Sequence, residues 1–127
     1  MAGFYLNGIY WRVSYVDPYD RYLVDRTKHL RLATTDVRSH HIRINEDIEG
    51  ELLTKVLLHE IGHATMASYG LLDELHKFVK REYWVESEEW VCNLIAEYGA
   101  LILHSAYEAL DDKVWDYIPS QIDRMLS

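Results

Sequence analysis

The chain has 127 residues, enough for one compact core and too few for two. Lys and Arg number 13 against 21 Asp and Glu, a net charge of −8, and the basic residues form no concentrated patch, which argues against direct nucleic-acid binding because phosphate contacts need clustered positive charge. At 49% hydrophobic and 13% aromatic the chain should fold on its own, and no apolar run approaches the ~20 residues needed to span a bilayer.

A single cysteine, Cys92, leaves no internal disulfide, and Met1 to Val13 has neither a basic leader nor an uninterrupted apolar stretch, so the sequence points to a cytoplasmic protein. Residues 1–127 read as one α+β domain, with a small, mostly antiparallel sheet over 1–45 and a helical region over 46–127. Phe4 to Leu6, the turn pair Asn7-Gly8 and Ile9 to Val16 predict a β-hairpin, with Ile9, Trp11, Val13 and Tyr15 sharing one face. Asp17-Pro18-Tyr19-Asp20 is a turn. Tyr22 to Val24 predicts a short strand, Leu30 to Thr35 a longer one, and Asp36 to Ser39 another turn. In His40 to Ile44 the alternation puts Ile42 and Ile44 inward and His41 and Arg43 outward.

Asn45 or Asp47 is positioned to cap the next helix, whose start is rich in acids that suit its positive end: Glu46, Asp47, Glu49 and Glu51. This helix should stop near Gly70. Asp73 then caps a short helix from Glu74 to about Glu82, with Leu75, Phe78 and Val79 on its apolar side. Ser87 starts a long helix from Glu88 to about Leu110, and Pro119 opens a final short one over Ser120 to Leu126.

The chemistry concentrates in His59-Glu60-Ile61-Gly62-His63, inside the apolar run Leu52 to Ala67. On a helix His59 and His63 lie one turn apart and roughly 40° apart in azimuth, so both imidazoles can hold one metal ion, with Glu60 beside them as a base rather than a ligand. Leu52, Leu53, Val56, Leu57, Leu58, Ile61, Ala64, Met66 and Ala67 surround the motif, which predicts a buried helix. The competing reading is a pair of core histidines satisfied by hydrogen bonds; three polar residues in so apolar a helix favour a common partner instead. A glycine in mid-helix costs about 1 kcal/mol relative to Ala, so Gly62 predicts close approach of another backbone.

Catalytic zinc takes three protein ligands and a water, so a third donor is needed. A histidine six residues after His63, preceded by a glycine, is one completion, but the two positions hold Tyr69 and Met66. A glutamate from the later helix remains, and Glu88, Glu89 and Glu97 are on offer. Glu89 shares a face with Asn93, Ala96 and Ala100, whose small side chains would permit close approach, while Glu88 lies about 100° around and stays open on azimuth alone.

The HEIGH motif followed by Glu89-Trp90-Val91-Cys92-Asn93-Leu94-Ile95-Ala96, an E-x-x-small-N-x-x-A pattern, resembles the ImmA/IrrE family of HExxH zinc metallopeptidases found in phages, mobile elements and bacteria. The resemblance covers roughly Arg31 to Ala100 and implies a minimal zincin-like fold. It also implies Zn²⁺ held by His59, His63 and Glu89, Glu60 as catalytic base, and a protein substrate, commonly a transcriptional repressor. Family members often carry an added DNA-binding domain, which this sequence does not contain.

On that basis Glu60 takes a proton from a zinc-activated water and delivers it to the leaving amine. The strand His40 to Ile44 is placed to align an extended substrate by edge pairing; against that, the charge of Arg43 blunts an edge. Asn93 is placed to orient a ligand, and His41, Tyr69, Tyr83 and Tyr98 are the candidates for stabilising an oxyanion. His104 is about 22 Å along the helix from Glu89, too far to help. Two alternatives remain: a zinc-stabilised protein-interaction module without turnover, and a metal-free interaction protein carrying the motif by chance.

Overall fold

The computed structural model describes residues 2–25 and 27–119. The first hairpin forms as predicted: β1 (Ala2–Leu6) and β2 (Ile9–Val16) pair antiparallel with Phe4 opposite Trp11. Asn7 and Gly8 take φ of 52° and 76°, the two successive left-handed residues that match a tight turn to the twist of its strands. A second antiparallel pair, β3 (Ala33–Asp36) and β4 (His41–Asn45), joins the first through a parallel β2–β4 ladder, giving the order β1-β2-β4-β3. The architecture is therefore α+β, a small mixed sheet followed by a helical region.

The strands with the most apolar inner faces take the central places. Trp11, Ile42 and Ile44 are fully buried and Val13 nearly so. This face packs on α1 (Gly50–Ser68) through Ala64, Leu53, Leu57 and Ile61. Burying Ile42 and Ile44 stabilises the fold by about 2–3 kcal/mol each. The far end of α1 is tied to the hairpin by polar contacts: Trp11 Nε1 donates to Ser68 Oγ at 2.8 Å, and Asn7 Nδ2 to the Ser68 carbonyl at 3.0 Å.

Several expectations about the sheet need correction. The segment expected as a strand at Tyr22 to Val24 is a 3-10 turn over Arg21–Leu23, because Asp20 Oδ1 accepts the Tyr22 N–H at 2.8 Å and offers the backbone a local alternative to a ladder. β3 begins at Ala33 rather than Leu30, which makes only an isolated bridge to Val24. Between them the Asp25 carboxylate accepts the N–H groups of Thr27 and His29 and pairs with Arg31. His41 faces away from α1 as predicted, yet it is only 8% exposed, with Nε2 2.7 Å from Ser14 Oγ. Burial, together with Arg43 and Arg12 nearby, pushes its pKa down. β4 is paired on both sides and so cannot be the edge; that place belongs to β3.

The helix starts also differ from the prediction: α1 begins later than its expected caps imply, and the two helices after it begin earlier. Neither Asn45 nor Asp47 caps α1: the residue before the helix is Glu49, and Asn45 Oδ1 instead accepts the Asp47 N–H at 2.8 Å in the preceding turn. α1 is not buried all round, since Leu52 is 46% exposed. It ends at Ser68, just short of Gly70. The next helix, α2, spans Leu71–His76 rather than 74–82, and Asp73 lies within its first turn instead of capping it. Phe78, expected on its apolar side, lies beyond it and is exposed. The long helix α3 spans Trp84–Leu110, four residues longer at its start than expected. Trp84 fixes that start by donating Nε1 to the Val79 carbonyl at 2.9 Å and stacking on His76 with ring centroids 3.8 Å apart. A 3-10 segment over Asp111–Asp116 follows, and the helix predicted for 120–126 lies outside the described residues. Among the described residues no helix is long and apolar enough to cross a membrane.

Candidate metal centre

α1 and α3 pack side by side, and at Gly62 the two helices approach closely. A Cβ added there would lie 3.1 Å from Cys92 Sγ and 3.3 Å from both Cys92 Cα and Ile95 Cδ1. The predicted close approach is present, but Cys92 and Ile95 make it rather than Ala96 and Ala100. Cys92 is fully buried at this contact. One turn of α3 before it, the carboxylate of Glu89 reaches across to α1.

The three predicted ligands converge. His59 Nε2 and His63 Nε2 are 3.2 Å apart, Glu89 Oε2 is 3.2 Å from the former, and Glu89 Oε1 is 3.1 Å from the latter. Donor atoms about 2 Å from a tetrahedral ion lie about 3.3 Å from one another, so this triangle has the size of one face of a zinc coordination shell. Two imidazoles and a carboxylate are also a donor set suited to zinc. His59, Glu60 and His63 by themselves bring donor atoms within 4.8 Å of one another. Glu60 Oε2, however, stands 3.8 Å from His59 Nε2, outside the tighter triangle that Glu89 completes.

Glu60 is the most enclosed of the four residues, 7% exposed, and its Oε1 accepts a hydrogen bond from Thr35 Oγ1 at 2.9 Å. Burial raises its pKa, against the opposing pull of His63, the Thr35 hydroxyl and His59. Glu89 is held well below the usual carboxylate range by hydrogen bonds from His59 and then His63. For His63, burial works against the charged form, but contacts with Cys92, Glu88 and Glu89 outweigh it and the pKa is pushed up to about 12. Glu88 Oε2 lies 2.5 Å from His63 Nδ1, on the other edge of the ring from Glu89.

These protonation states have a measurable consequence. With its pKa raised to about 12, His63 in the metal-free protein carries protons on both nitrogens at pH 7. A zinc ion held through Nε2 would displace the proton there, so its binding should release at least about one proton, and its apparent affinity should rise with pH, by about tenfold per unit near neutrality. Calorimetric titration in phosphate and in Tris checks this, because released protons add each buffer's ionisation heat. Identical heats in both buffers would contradict it.

The triangle opens into a cleft of about 810 Å³ between α1 and α3 on one side and the Tyr22 to Thr35 region on the other. Val24, Leu32, Leu52, Val56, Val85 and Ala96 give it apolar walls, and Asn93 lines it as well. His41, Tyr69, Tyr83 and Tyr98, the oxyanion candidates, are absent from its lining. Tyr69 is occupied elsewhere: its hydroxyl accepts the Asn7 N–H at 3.1 Å and donates to the Pro119 carbonyl at 2.6 Å. His104 pairs with Glu108 on an exposed face. Thr35 is a contact to the site that the sequence does not reveal, because it depends on β3 lying beside α1 and no short motif encodes that neighbour. Compared with known protein families, curated proteins and solved structures, the chain matches none.

Proposed function

We propose that this chain is a zinc-dependent endopeptidase of the ImmA/IrrE type that hydrolyses a peptide bond in an extended segment of a regulatory, repressor-like protein. The observation that carries this reading is the position of Glu89, about 3 Å from both imidazole nitrogens, while Glu60 stays buried just outside the triangle. His59, His63 and Glu89 would hold the ion. Bound there, zinc acidifies water from a pKa of 15.7 to about 7 and polarises a carbonyl.

The chain's own residues supply the rest. Thr35 fixes Glu60 Oε1, leaving Oε2 to accept the water's proton and return it to the leaving amine. The raised pKa of Glu60 makes it the stronger base for that exchange. Substrate alignment falls to β3. Asn45 N–H bonds the Leu32 carbonyl, so in the alternating antiparallel pattern Ala33 and Thr35 turn their own N–H and C=O groups away from β4, toward the cleft. An extended peptide pairing there would run beside Glu60.

The test is hydrolysis of a quenched-fluorescence peptide library and of candidate repressor proteins. Activity that disappears with chelator and returns with zinc is expected; zinc-loaded protein that cleaves nothing in either set counts against the proposal. One observation favours the second reading, a zinc-stabilised interaction module: α3 leaves Trp90, Leu101 and Ile102 about 60% exposed, a surface suited to another protein.

A further inference from the structure

We propose that Glu88 is a positioning residue: its carboxylate holds the Nδ1 edge of His63 and so aims Nε2 of that ring at the point where His59 and Glu89 meet. The inference rests on the zinc reading above and extends it to a residue that touches neither ion nor substrate. Glu88 Oε2 lies 2.5 Å from His63 Nδ1, while His63 Nε2 lies 3.1 Å from Glu89 Oε1 and 3.2 Å from His59 Nε2. Two consecutive residues of α3 thus take opposite edges of one imidazole carried by α1.

Consecutive helical side chains diverge by about 100°, which is why only one of the pair enters the triangle and the other passes behind the ring. The division of labour has a chemical reason. An imidazole that gives Nε2 to a cation must keep its proton on Nδ1, and an acceptor at that nitrogen selects the tautomer and stops the ring from rotating. A charged acceptor also makes the ring a stronger donor. The Glu88 side chain is 26% exposed against 46% for Glu89, so the supporting carboxylate is the more enclosed of the two. Cys92, one turn on and packed against Gly62, also contacts the His63 side chain.

Zinc titration against a competing chelator, with cobalt substitution as a second readout, tests the role in the full chain. Glu88→Gln keeps an oxygen acceptor for the Nδ1 proton and loses the charge; zinc affinity should fall by about tenfold. Glu88→Ala loses both and should cost about a hundredfold. Both variants should still bind zinc at wild-type stoichiometry and keep the wild-type visible spectrum with Co²⁺, because the donor set is unchanged, whereas Glu89→Gln should alter that spectrum. Circular dichroism of the metal-free variants separates a folding defect from a site defect. Wild-type affinity in both Glu88 variants would overturn the positioning role alone. A cobalt spectrum changed by Glu88→Ala as much as by Glu89→Gln would make Glu88 a ligand instead. A wild-type chain that takes up no zinc would remove the zinc reading itself.

Discussion

Glu60→Gln is expected to keep zinc at about one per chain and to lose peptide hydrolysis by on the order of 10³-fold, the usual scale for removing a general base. The substitution is close to isosteric, and Thr35 Oγ1 can still donate to the amide oxygen, so the buried side chain keeps its seat. What disappears is an atom able to accept and return a proton. The pH profile of the wild type should agree. Burial raises the pKa of Glu60, and the base works only when ionised, so the acid limb of kcat/KM should lie above the ordinary carboxylate value of 4.5. Steady-state kinetics beside zinc analysis checks both points. A variant that turns over substrate at the wild-type rate would take Glu60 out of the chemistry. A biological effect unchanged in that variant, with no turnover in either protein, would favour the interaction module.

His63→Ala should abolish specific zinc binding, because it removes one corner of the triangle together with the group that Glu88 and Glu89 both contact. In the wild type, zinc at about 1,000 times its Kd adds about 4 kcal/mol to folding stability. For a chain of this size that corresponds to a rise in Tm of roughly 10–20 °C. The variant should show no such rise. Its metal-free form should be weaker by about 2–4 kcal/mol, since a mostly buried side chain and its charge-assisted contacts with Glu88 and Glu89 are lost together. Thermal melts of both proteins with zinc and with chelator read these quantities directly. A wild-type Tm indifferent to chelator would favour the metal-free alternative.

The hairpin, the two apolar positions of β4 and the α1 motif were legible because each depends on local pattern: an Asn-Gly turn, period-two alternation, and histidines four residues apart. Spacing and face brought Glu89 forward but left Glu88 open, and the structure sets the two carboxylates on different edges of the His63 ring, which helix periodicity alone does not reveal. The expectation that failed with the greatest consequence was the substrate edge. Alternation in His40 to Ile44 identifies a strand but not its neighbours, and the long-range parallel pairing of β2 with β4 places β4 inside the sheet. The same limit hid Thr35. Helix starts were missed where tertiary contacts overrode local capping signals, as when Trp84 stacks on His76 and begins α3 ahead of Ser87.

In the proposed site two side chains of α1 and one of α3 enclose a single divalent ion. An anomalous difference map from crystals grown with zinc, collected at the zinc edge, tests it most directly. One strong peak is expected about 2 Å from His59 Nε2, His63 Nε2 and a Glu89 carboxylate oxygen, with Glu88 still on His63 Nδ1 and Glu60 standing off. A peak held by some other carboxylate, or no peak at saturating zinc, would contradict it.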